Sequence, residues 1–238
     1  MADFSSIKAI AFDLDGTLID SVPDLAAATQ ATLAELALPS CTEQQVRNWV
    51  GNGAQVLMQR ALLNAEQQKG CDIGVQLENV MPIFMNHYEL HLQKHSKLYA
   101  GVLTVLSKLN AAGYPLAIVT NKPYRFTIPL LEAFGIADLF GLVLGGDSLD
   151  KMKPDPLPLT HILDKWQLEP QQLLMVGDSK NDILAAKAAG VTSIGLTYGY
   201  NYGEDIGLSG PTAVCEQFNE ILALLTNSAE FTAKSMEQ

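Results

Sequence analysis

Residues 7–21 read IKAIAFDLDGTLIDS, an apolar run that ends in two aspartates, Asp13 and Asp15, one residue apart. The run has the length and composition of a buried β-strand, so both carboxylates are predicted at its carboxyl end. Two such charges about 4 Å apart repel each other by roughly 4 kcal/mol at an effective dielectric constant near 20. A strand with this ending therefore predicts that positive charge is bound beside it.

The composition is that of an ordinary globular protein with an acidic surface. The 238 residues are 48% hydrophobic, and the formal net charge is -11. Nucleic acids and anionic membranes are bound largely through Lys and Arg, so this balance argues against both as partners. A small anion is still compatible with it, because a few local cations and main-chain N–H groups are enough to bind one.

The cysteines and the amino terminus give the expected compartment. Cys41, Cys71 and Cys215 are far apart and have no C-x-x-C spacing, which indicates neither a disulfide framework nor a zinc site. The first residues, MADFSSIK, lack the pattern of a secretory signal, and no apolar run has the length of a membrane span. The sequence predicts a cytoplasmic protein.

Short apolar runs alternate with helical patterns over most of the chain. Five runs are predicted as buried strands: 7–12, 116–120, 142–145, 173–177 and 192–196. Helices are predicted at 101–112, 125–134, 156–166 and 182–189. Strands that alternate with helices indicate βαβ units, so the predicted fold class is α/β with a Rossmann-like parallel sheet.

About a hundred residues separate the first two strands, which is too long for one crossover. Helical patterns fill this interval at 21–36, 53–63 and 75–95, and Ser21 to Asp24 resembles a capping box that opens the first of them. We therefore predict a small α-helical cap domain, residues 20–97, inserted into an α/β core formed by residues 1–19 and 98–238. Such a cap would lie above the carboxyl ends of the strands, where open α/β sheets bind ligands.

Polar residues follow four of the predicted strands. In chain order they are Asp13 and Asp15, then Thr120, Asn121 and Lys122, then Lys153, then Asp178 and Asp182. The carboxyl ends of parallel strands share one edge of the sheet, so these side chains are expected to meet. Carboxylates, a hydroxyl and lysines together are what phosphoryl transfer requires.

The two aspartates of the first strand suit the two halves of that chemistry. Asp13 is expected to attack phosphorus and form an aspartyl-phosphate, and Asp15 to protonate the leaving oxygen and later deprotonate water. Oxygen ligands from Asp13 and Asp178 suit Mg²⁺. Each residue also has an ordinary interpretation, a turn for the paired aspartates or a solvated side chain for Lys153, but their joint order favours the functional one.

Four motifs at these positions resemble the haloacid dehalogenase superfamily: DLDGTL, VTNK, the lysine of KPDP and GDSKND. The resemblance implies that Asp13 is the nucleophile, and that Asp15 is the acid/base and also a metal ligand through its main-chain carbonyl. It makes Asp178 a metal ligand, and Thr120 and Asn121 contacts to phosphate. Lys153 would stabilise the phosphate and Asp13, and Asp182 would orient this network.

Two further stretches, WVGNGAQVLMQRAL and GLTYGYNYGEDI, look like the phosphoglycolate phosphatase branch of that superfamily. The implied reaction is Mg²⁺-dependent hydrolysis of 2-phosphoglycolate, a small phosphorylated carboxylic acid, to glycolate and phosphate. Alternatives within the fold are a phosphatase for phosphosugars, pyrophosphate or nucleotides, and a phosphosugar mutase. A receiver-like signalling domain with a phosphorylated aspartate is the non-enzyme alternative, although receivers are about half as long and have no cap.

The substrate carboxylate would need donors on the cap side of the site. Main-chain N–H groups of Gly51, Asn52 and Gly53, with Arg47 nearby, are candidates, although these glycines would equally suit a plain interhelical turn. Lys122 could assist from the core or be solvated.

A row of histidines, His87, His91 and His95, is predicted on one helical face. It lacks an acidic or cysteine partner at ligand spacing, so a solvated or packed face is favoured over a metal site. The sequence leaves the oligomeric state open between monomer and dimer.

Overall fold

A computed structural model of the chain describes residues 3–225. The strands are β1 (Ala9–Phe12), β2 (Ile19–Asp20), β3 (Lys97–Leu98), β4 (Leu116–Val119), β5 (Leu142–Leu144), β6 (Leu173–Gly177), β7 (Thr192–Leu196) and β8 (Ala213–Cys215). The helices named below are α1 (Val22–Glu35), α2 (Glu43–Trp49), α3 (Ala54–Lys69), α4 (Leu77–His91), α5 (Val102–Ala111), α6 (Tyr124–Ala133), α7 (Leu157–Trp166) and α8 (Lys180–Ala189).

Six strands form one parallel sheet in the order β5-β4-β1-β6-β7-β8. This confirms the predicted α/β class and the five predicted strands, with ends that move by one or two residues. The strand β8 was missed because it is a three-residue edge strand whose middle residue, Val214, is 46% exposed. Such a segment has no apolar run to detect.

The central strand β1 shows why both faces of the sheet are covered. Ile10 and Phe12 belong to one buried hydrophobic cluster, and Ala9 and Ala11 belong to a second one. Successive side chains of a strand point to opposite faces, so the two sets lie on opposite sides of the sheet. The helices α5 to α8 fill the crossovers between the parallel strands and supply much of this cover.

The four helices α1 to α4 form a separate layer, which we call the helical segment (residues 22–91). Its ends are joined where β2 and β3 pair as a short antiparallel ribbon, with Ile19 opposite Leu98. The helix α2 was not predicted, because its seven residues bury only Val46 and give no apolar period. The exact division into core and cap remains a prediction.

The start of α1 differs from the expected capping box. Ser21 Oγ donates to Asp15 Oδ1 at 2.6 Å instead of capping the helix. The Asp24 carboxylate accepts hydrogen bonds from the main-chain N–H groups of His95 and Ser96 at 2.8 and 2.9 Å. The prediction of a capping box was therefore wrong, because both side chains are used in longer-range contacts.

The histidine row is also shorter than predicted, because α4 ends at His91 and His95 lies beyond it. His87 Nε2 lies 2.7 Å from Glu35 Oε2 of α1, and His91 Nδ1 lies 2.7 Å from the His87 carbonyl oxygen. His87 thus links α4 to α1, whereas the His91 contact lies within α4. None of the helices in residues 3–225 combines the length and apolar character that a membrane crossing requires.

Candidate active site

The polar residues that follow the strands meet at one edge of the sheet. Asp13 follows β1, Thr120 follows β4 and Asp178 follows β6, and these three strands are neighbours. Lys153 enters from the loop after β5. All four side chains are buried. Convergence of this kind follows from parallel strand order, so the sequence was sufficient to predict it.

Lys153 lies between two carboxylates. Its Nζ is 2.9 Å from Asp13 Oδ1 and 2.6 Å from Asp182 Oδ1. Burial opposes a charged lysine, but the two carboxylates outweigh it and raise the pKa of Lys153 to about 12. The lysine is therefore a fixed positive charge beside Asp13.

Asp182 is held in place by the first turn of α8. Its Oδ2 accepts hydrogen bonds from the Ser179 main-chain N–H at 3.0 Å and from Ser179 Oγ at 2.9 Å. With Oδ1 on Lys153, both of its oxygens are engaged. This geometry suits a residue that orients Lys153 rather than one that binds a substrate.

Asp178 occupies a tight cradle. Its Oδ1 accepts from Thr17 Oγ1 at 2.6 Å, and its Oδ2 accepts from the Tyr200 main-chain N–H at 2.7 Å. A Cβ atom added to Gly16 or to Gly199 would lie closer than 3.0 Å to this carboxylate. Both glycines are thus required by the close approach of the backbone to Asp178.

The carboxylates of Asp13, Asp178 and Asp182 form a cluster that fits a divalent cation. One oxygen from each lies within 4.8 Å of the others. Burial raises the pKa of Asp13 to about 7, with a smaller opposing effect of Lys153, and burial together with the charge of Asp13 raises the pKa of Asp178. Asp13 Oδ1 is buried and has an ion-pair contact but no hydrogen-bond partner. A hard cation would relieve both the repulsion and the desolvation.

Two polar side chains contact the Asp15 carboxylate. Lys122 Nζ lies 2.9 Å from its Oδ1 and 3.2 Å from its Oδ2, and Ser21 Oγ donates to Oδ1. The same ammonium group donates to the hydroxyl oxygen of Tyr88 in α4 and lies 4.8 Å from the centre of that ring. The helical segment thus reaches the reactive end of the sheet through Tyr88.

Thr120 and Asn121 face the same space but are used differently. Thr120 Oγ1 accepts the Lys122 main-chain N–H at 3.2 Å, which leaves its hydroxyl hydrogen for another acceptor. The Asn121 amide nitrogen donates to the carbonyl oxygens of Gly51 and Lys153, both at 2.9 Å. Both N–H bonds of the side-chain amide are therefore engaged. The main-chain N–H of Asn121 is the better donor for a phosphate oxygen.

A cavity of about 40 Å³ lies between the sheet and the helical segment. Its polar lining includes Asp13, Asp15, Thr120, Asn121 and Lys122. Its apolar lining includes Leu25, Val50, Leu57, Phe84 and Pro123. This volume corresponds to about three water molecules, so a phosphate ester would need the helical segment to move before it could enter.

The structure brings two of the four expected cap residues to this cavity. Gly51 and Gly53 line it, whereas Arg47 and Asn52 do not. Arg47 instead pairs with Asp20 at 3.4 Å and lies over the Tyr200 ring at 5.1 Å. The hypothesis that Arg47 contacts the substrate is therefore not supported by this geometry.

The main omission of the sequence analysis is the environment of Lys122. The interpretation of Lys122 as solvated was wrong, because its side chain is 2% exposed. Its position directly after Thr120 and Asn121 was the available signal. Tyr88 gave none, because an aromatic residue on a helical face usually indicates core packing.

Comparison with known proteins agrees with this geometry. Residues 10–196 match the family model described as haloacid dehalogenase-like hydrolase. The phosphoglycolate phosphatase of Escherichia coli O157:H7 is 45% identical over 94% of this chain and 95% of its own length. The phosphoglycolate phosphatase of Vibrio cholerae is 48% identical over 94% of this chain and 99% of its own. The crystal structure of a predicted phosphoglycolate phosphatase from Haemophilus somnus superposes with a TM-score of 0.89 at 44% identity, covering 92% of this chain and 98% of that one.

Proposed function

Because this chain belongs to the haloacid dehalogenase-like hydrolase family, we propose that it hydrolyses 2-phosphoglycolate to glycolate and phosphate through an aspartyl-phosphate on Asp13. The observation that supports this most directly is the ion pair between Asp13 and Lys153, beside a small cavity that Asp13, Asp15 and Lys122 line. The proposal includes the cytoplasmic location predicted above, with which three free thiols are compatible.

In the first step an Asp13 carboxylate oxygen attacks phosphorus, and the bond from phosphorus to the ester oxygen breaks. Asp15 in its protonated form donates its proton to that oxygen, so glycolate leaves with a neutral hydroxyl group. Lys153 balances the negative charge that accumulates around Asp13, and Asp182 keeps the lysine in place. Thr120 donates its free hydroxyl hydrogen to a phosphate oxygen.

In the second step Asp15, now a carboxylate, removes a proton from a water molecule. The water oxygen attacks phosphorus, the bond to Asp13 breaks, and phosphate is released with both aspartates back in their starting states. Ser21 Oγ, 2.6 Å from Asp15 Oδ1, and Lys122 fix the position of the acid/base group in both steps. A fixed position is important because the same group must reach two different oxygen atoms.

We propose Mg²⁺ as the cation of the carboxylate cluster. Asp13 and Asp178 would hold it through carboxylate oxygens and Asp15 through its main-chain carbonyl. When bound, the ion supplies positive charge beside the attacking carboxylate and the transferring phosphoryl group. Asp182 is left out of this ligand set, since its Oδ1 pairs with the positive charge of Lys153 and its Oδ2 already accepts two hydrogen bonds from Ser179. Each Asp178 oxygen, in contrast, accepts one hydrogen bond from an uncharged donor.

The substrate carboxylate is assigned to Lys122. Of the described residues that line the cavity, Lys122 alone carries a positive charge. The amino-terminal turn of α3, at Gly53 and Ala54, borders the same space and offers main-chain N–H groups to an anion. Lys122 thus takes the place that the sequence analysis gave to Arg47.

The size of the cavity favours a small substrate over the alternatives. Phosphoglycolate needs less additional space than a phosphosugar or a nucleotide does, and a phosphosugar mutase needs cations for two phosphate groups. We propose that the predicted cap, residues 20–97, moves to admit the substrate and closes over it, which excludes bulk water during transfer.

Phosphate release from a panel of substrates tests the proposal. The panel contains 2-phosphoglycolate, ethyl phosphate, a hexose phosphate, AMP and pyrophosphate, each with and without Mg²⁺. We expect Mg²⁺-dependent hydrolysis with kcat/KM for phosphoglycolate at least about tenfold above the others. A flat profile would reject the substrate but keep the chemistry, and no metal-dependent release would reject both.

The role of Lys122 is tested by Lys122→Met in the same panel. Ethyl phosphate lacks the carboxylate, so the variant should lose at least about tenfold more kcat/KM with phosphoglycolate than with ethyl phosphate. Lys108→Met, at an exposed position of α5, is the matched control. An equal loss for both substrates would show that Lys122 acts only on Asp15.

A further inference from the structure

The segment Tyr198-Gly199-Tyr200-Asn201-Tyr202, here called the tyrosine loop, follows β7, and its tyrosine side chains have no role in the mechanism above. Its side chains cross from the core to the helical segment. Tyr202 has a φ of +56°, a left-handed conformation that is uncommon for a residue with a side chain. Such a conformation persists only where surrounding contacts hold it, so the contacts of Tyr202 must stabilise this backbone.

The Tyr202 ring is placed between cations of the two layers. Arg60 of α3 lies 5.4 Å from the ring centre, and Lys180 of α8 lies 5.0 Å from it. The hydroxyl group donates to Asn52 Oδ1 at 2.8 Å and accepts from the Asn181 amide at 3.0 Å. One side chain therefore joins the turn 51–53 of the helical segment to the start of α8 in the core.

The carbonyl oxygen of Gly51 is the second point of attachment. It accepts from the amide groups of Asn121 at 2.9 Å and Asn181 at 3.0 Å. Gly51 has a φ of +116°, and a Cβ atom there would lie closer than 3.0 Å to the Tyr202 hydroxyl. Asn181 thus contacts both Gly51 and Tyr202, and the fit of the turn against Tyr202 leaves no room for a side chain.

A third contact fixes the connection at the other end of the loop. The Tyr200 hydroxyl donates to Asp20 Oδ1 at 2.5 Å and accepts from the Ser21 main-chain N–H at 3.0 Å. Asp20 ends β2, where the chain passes from the core to the helical segment. The main-chain N–H of Tyr200 also donates to Asp178. The loop therefore fixes Asp20 and Ser21, where the chain enters the helical segment, and also supports Asp178 of the acidic cluster.

We propose that Tyr202 and Asn181 are positioning residues that fasten the turn 51–53 over Asp13 in the closed conformation. They contact neither Asp13 nor the cavity, and act through Gly51 and Asn52. Their effect is on the fraction of molecules in which the helical segment covers the site. Closure of this kind favours small substrates over larger ones.

Tyr202→Phe and Asn181→Ala test this inference. The first change keeps the ring between Arg60 and Lys180 and removes two hydrogen bonds, and the second removes the shared donor. Loss of two such bonds should shift the closing equilibrium by about fivefold to thirtyfold. Because both residues act in one network, the double variant should lose far less than the product of the single losses.

Two substrates separate weaker closure from general damage. The aryl group makes p-nitrophenyl phosphate much larger than phosphoglycolate, so its reaction needs a larger displacement of the helical segment and depends less on closure. In both variants, kcat/KM for phosphoglycolate should fall at least about fivefold, mainly through KM, while kcat/KM for p-nitrophenyl phosphate stays equal or rises. A proportional fall for both substrates would overturn the inference. Tyr114→Phe, at a partly buried tyrosine of the core, is the control and should leave the ratio unchanged.

A spectroscopic measurement makes the inference independent of the substrate proposed above. Trp49 ends α2, two residues before Gly51, and the second tryptophan is removed by Trp166→Phe. In that background, with Mg²⁺ and inorganic phosphate, acrylamide should quench Trp49 more strongly in Tyr202→Phe than in its parent. Unchanged quenching would contradict the inference, whereas failure of phosphoglycolate as a substrate would leave this result intact.

Discussion

Replacing Asp13 with Asn should remove activity and stabilise the metal-free protein. The amide is nearly the same shape as the carboxylate but is not a nucleophile, so hydrolysis should fall at least about a thousandfold. The same change removes one charge from the cluster of Asp13, Asp178 and Asp182, whose oxygens lie within 4.8 Å of one another. The free energy of unfolding should therefore rise in a pH-dependent manner.

The magnitude follows from the pKa of Asp13. Burial raises this pKa from 3.8 to about 7 in the folded protein, despite the opposing effect of Lys153. A raised folded pKa means that the folded chain binds the proton more tightly, so stability is lost as the pH rises from about 4 to about 7. The full cost is roughly 4 kcal/mol above pH 7, and less than half of it is present at pH 5. Asp13→Asn removes this cost.

Thermal unfolding of both proteins in chelator at pH 5 and pH 8 measures the effect. The gain of the variant at pH 8 should exceed its gain at pH 5 by roughly 2–3 kcal/mol, which corresponds to about 5–10 °C in Tm for a chain of this length. Taking the difference between two pH values cancels any constant effect of the amide. Equal gains at both pH values, or a loss at pH 8, would refute the reasoning. Added Mg²⁺ should reduce the difference in stability between the two proteins at pH 8.

Two further predictions concern the surroundings of the cluster. Gly199→Ala places a Cβ closer than 3.0 Å to Asp178 and should raise the Mg²⁺ concentration for half-maximal activity at least about tenfold. Gly141→Ala is the control, because the nearest neighbour of its added Cβ would lie at 3.9 Å. An equal Mg²⁺ requirement in both variants would contradict the role of Gly199 in positioning Asp178. Lys153→Met leaves Asp13 and Asp182 without their cation and should lower the free energy of unfolding at pH 8 by about 3–5 kcal/mol, measured by urea denaturation. Lys151→Met, with a 65% exposed side chain, should change it by less than about 0.5 kcal/mol; a similarly small change for Lys153→Met would show that the ion pairs contribute little.

The sequence was informative where a residue's place depends on one strand. Asp13, Thr120 and Asp178 each follow directly after a buried apolar run, and parallel strand order brings such positions together without further information. Lys153 required only that its loop return to the same edge. These placements depend on local pattern and on a topology that has few alternatives.

The sequence was less informative where two layers meet. Competition between possible partners decides which face of the short helix α2 is turned to the cavity. Arg47 contacts Asp20 and Tyr200 instead of the cavity. The burial of Lys122 depends on Tyr88, which the packing of α4 against α1 delivers. Neither contact has a sequence period or spacing that would indicate it.

The short ribbon of β2 and β3 also has a consequence for how the chain folds. Phe12 of β1 pairs with Ile118 of β4, so the central strand must find a partner roughly a hundred residues later in the chain. Contacts of such separation slow folding, because loop closure must precede the gain from pairing. When α1 and α4 have packed and Ile19 lies opposite Leu98, the effective loop between these strands shrinks to about a quarter of that length. This lowers the entropic cost of closing it by about 1 kcal/mol. A helical insertion that folds early would thus speed assembly of the sheet that it interrupts.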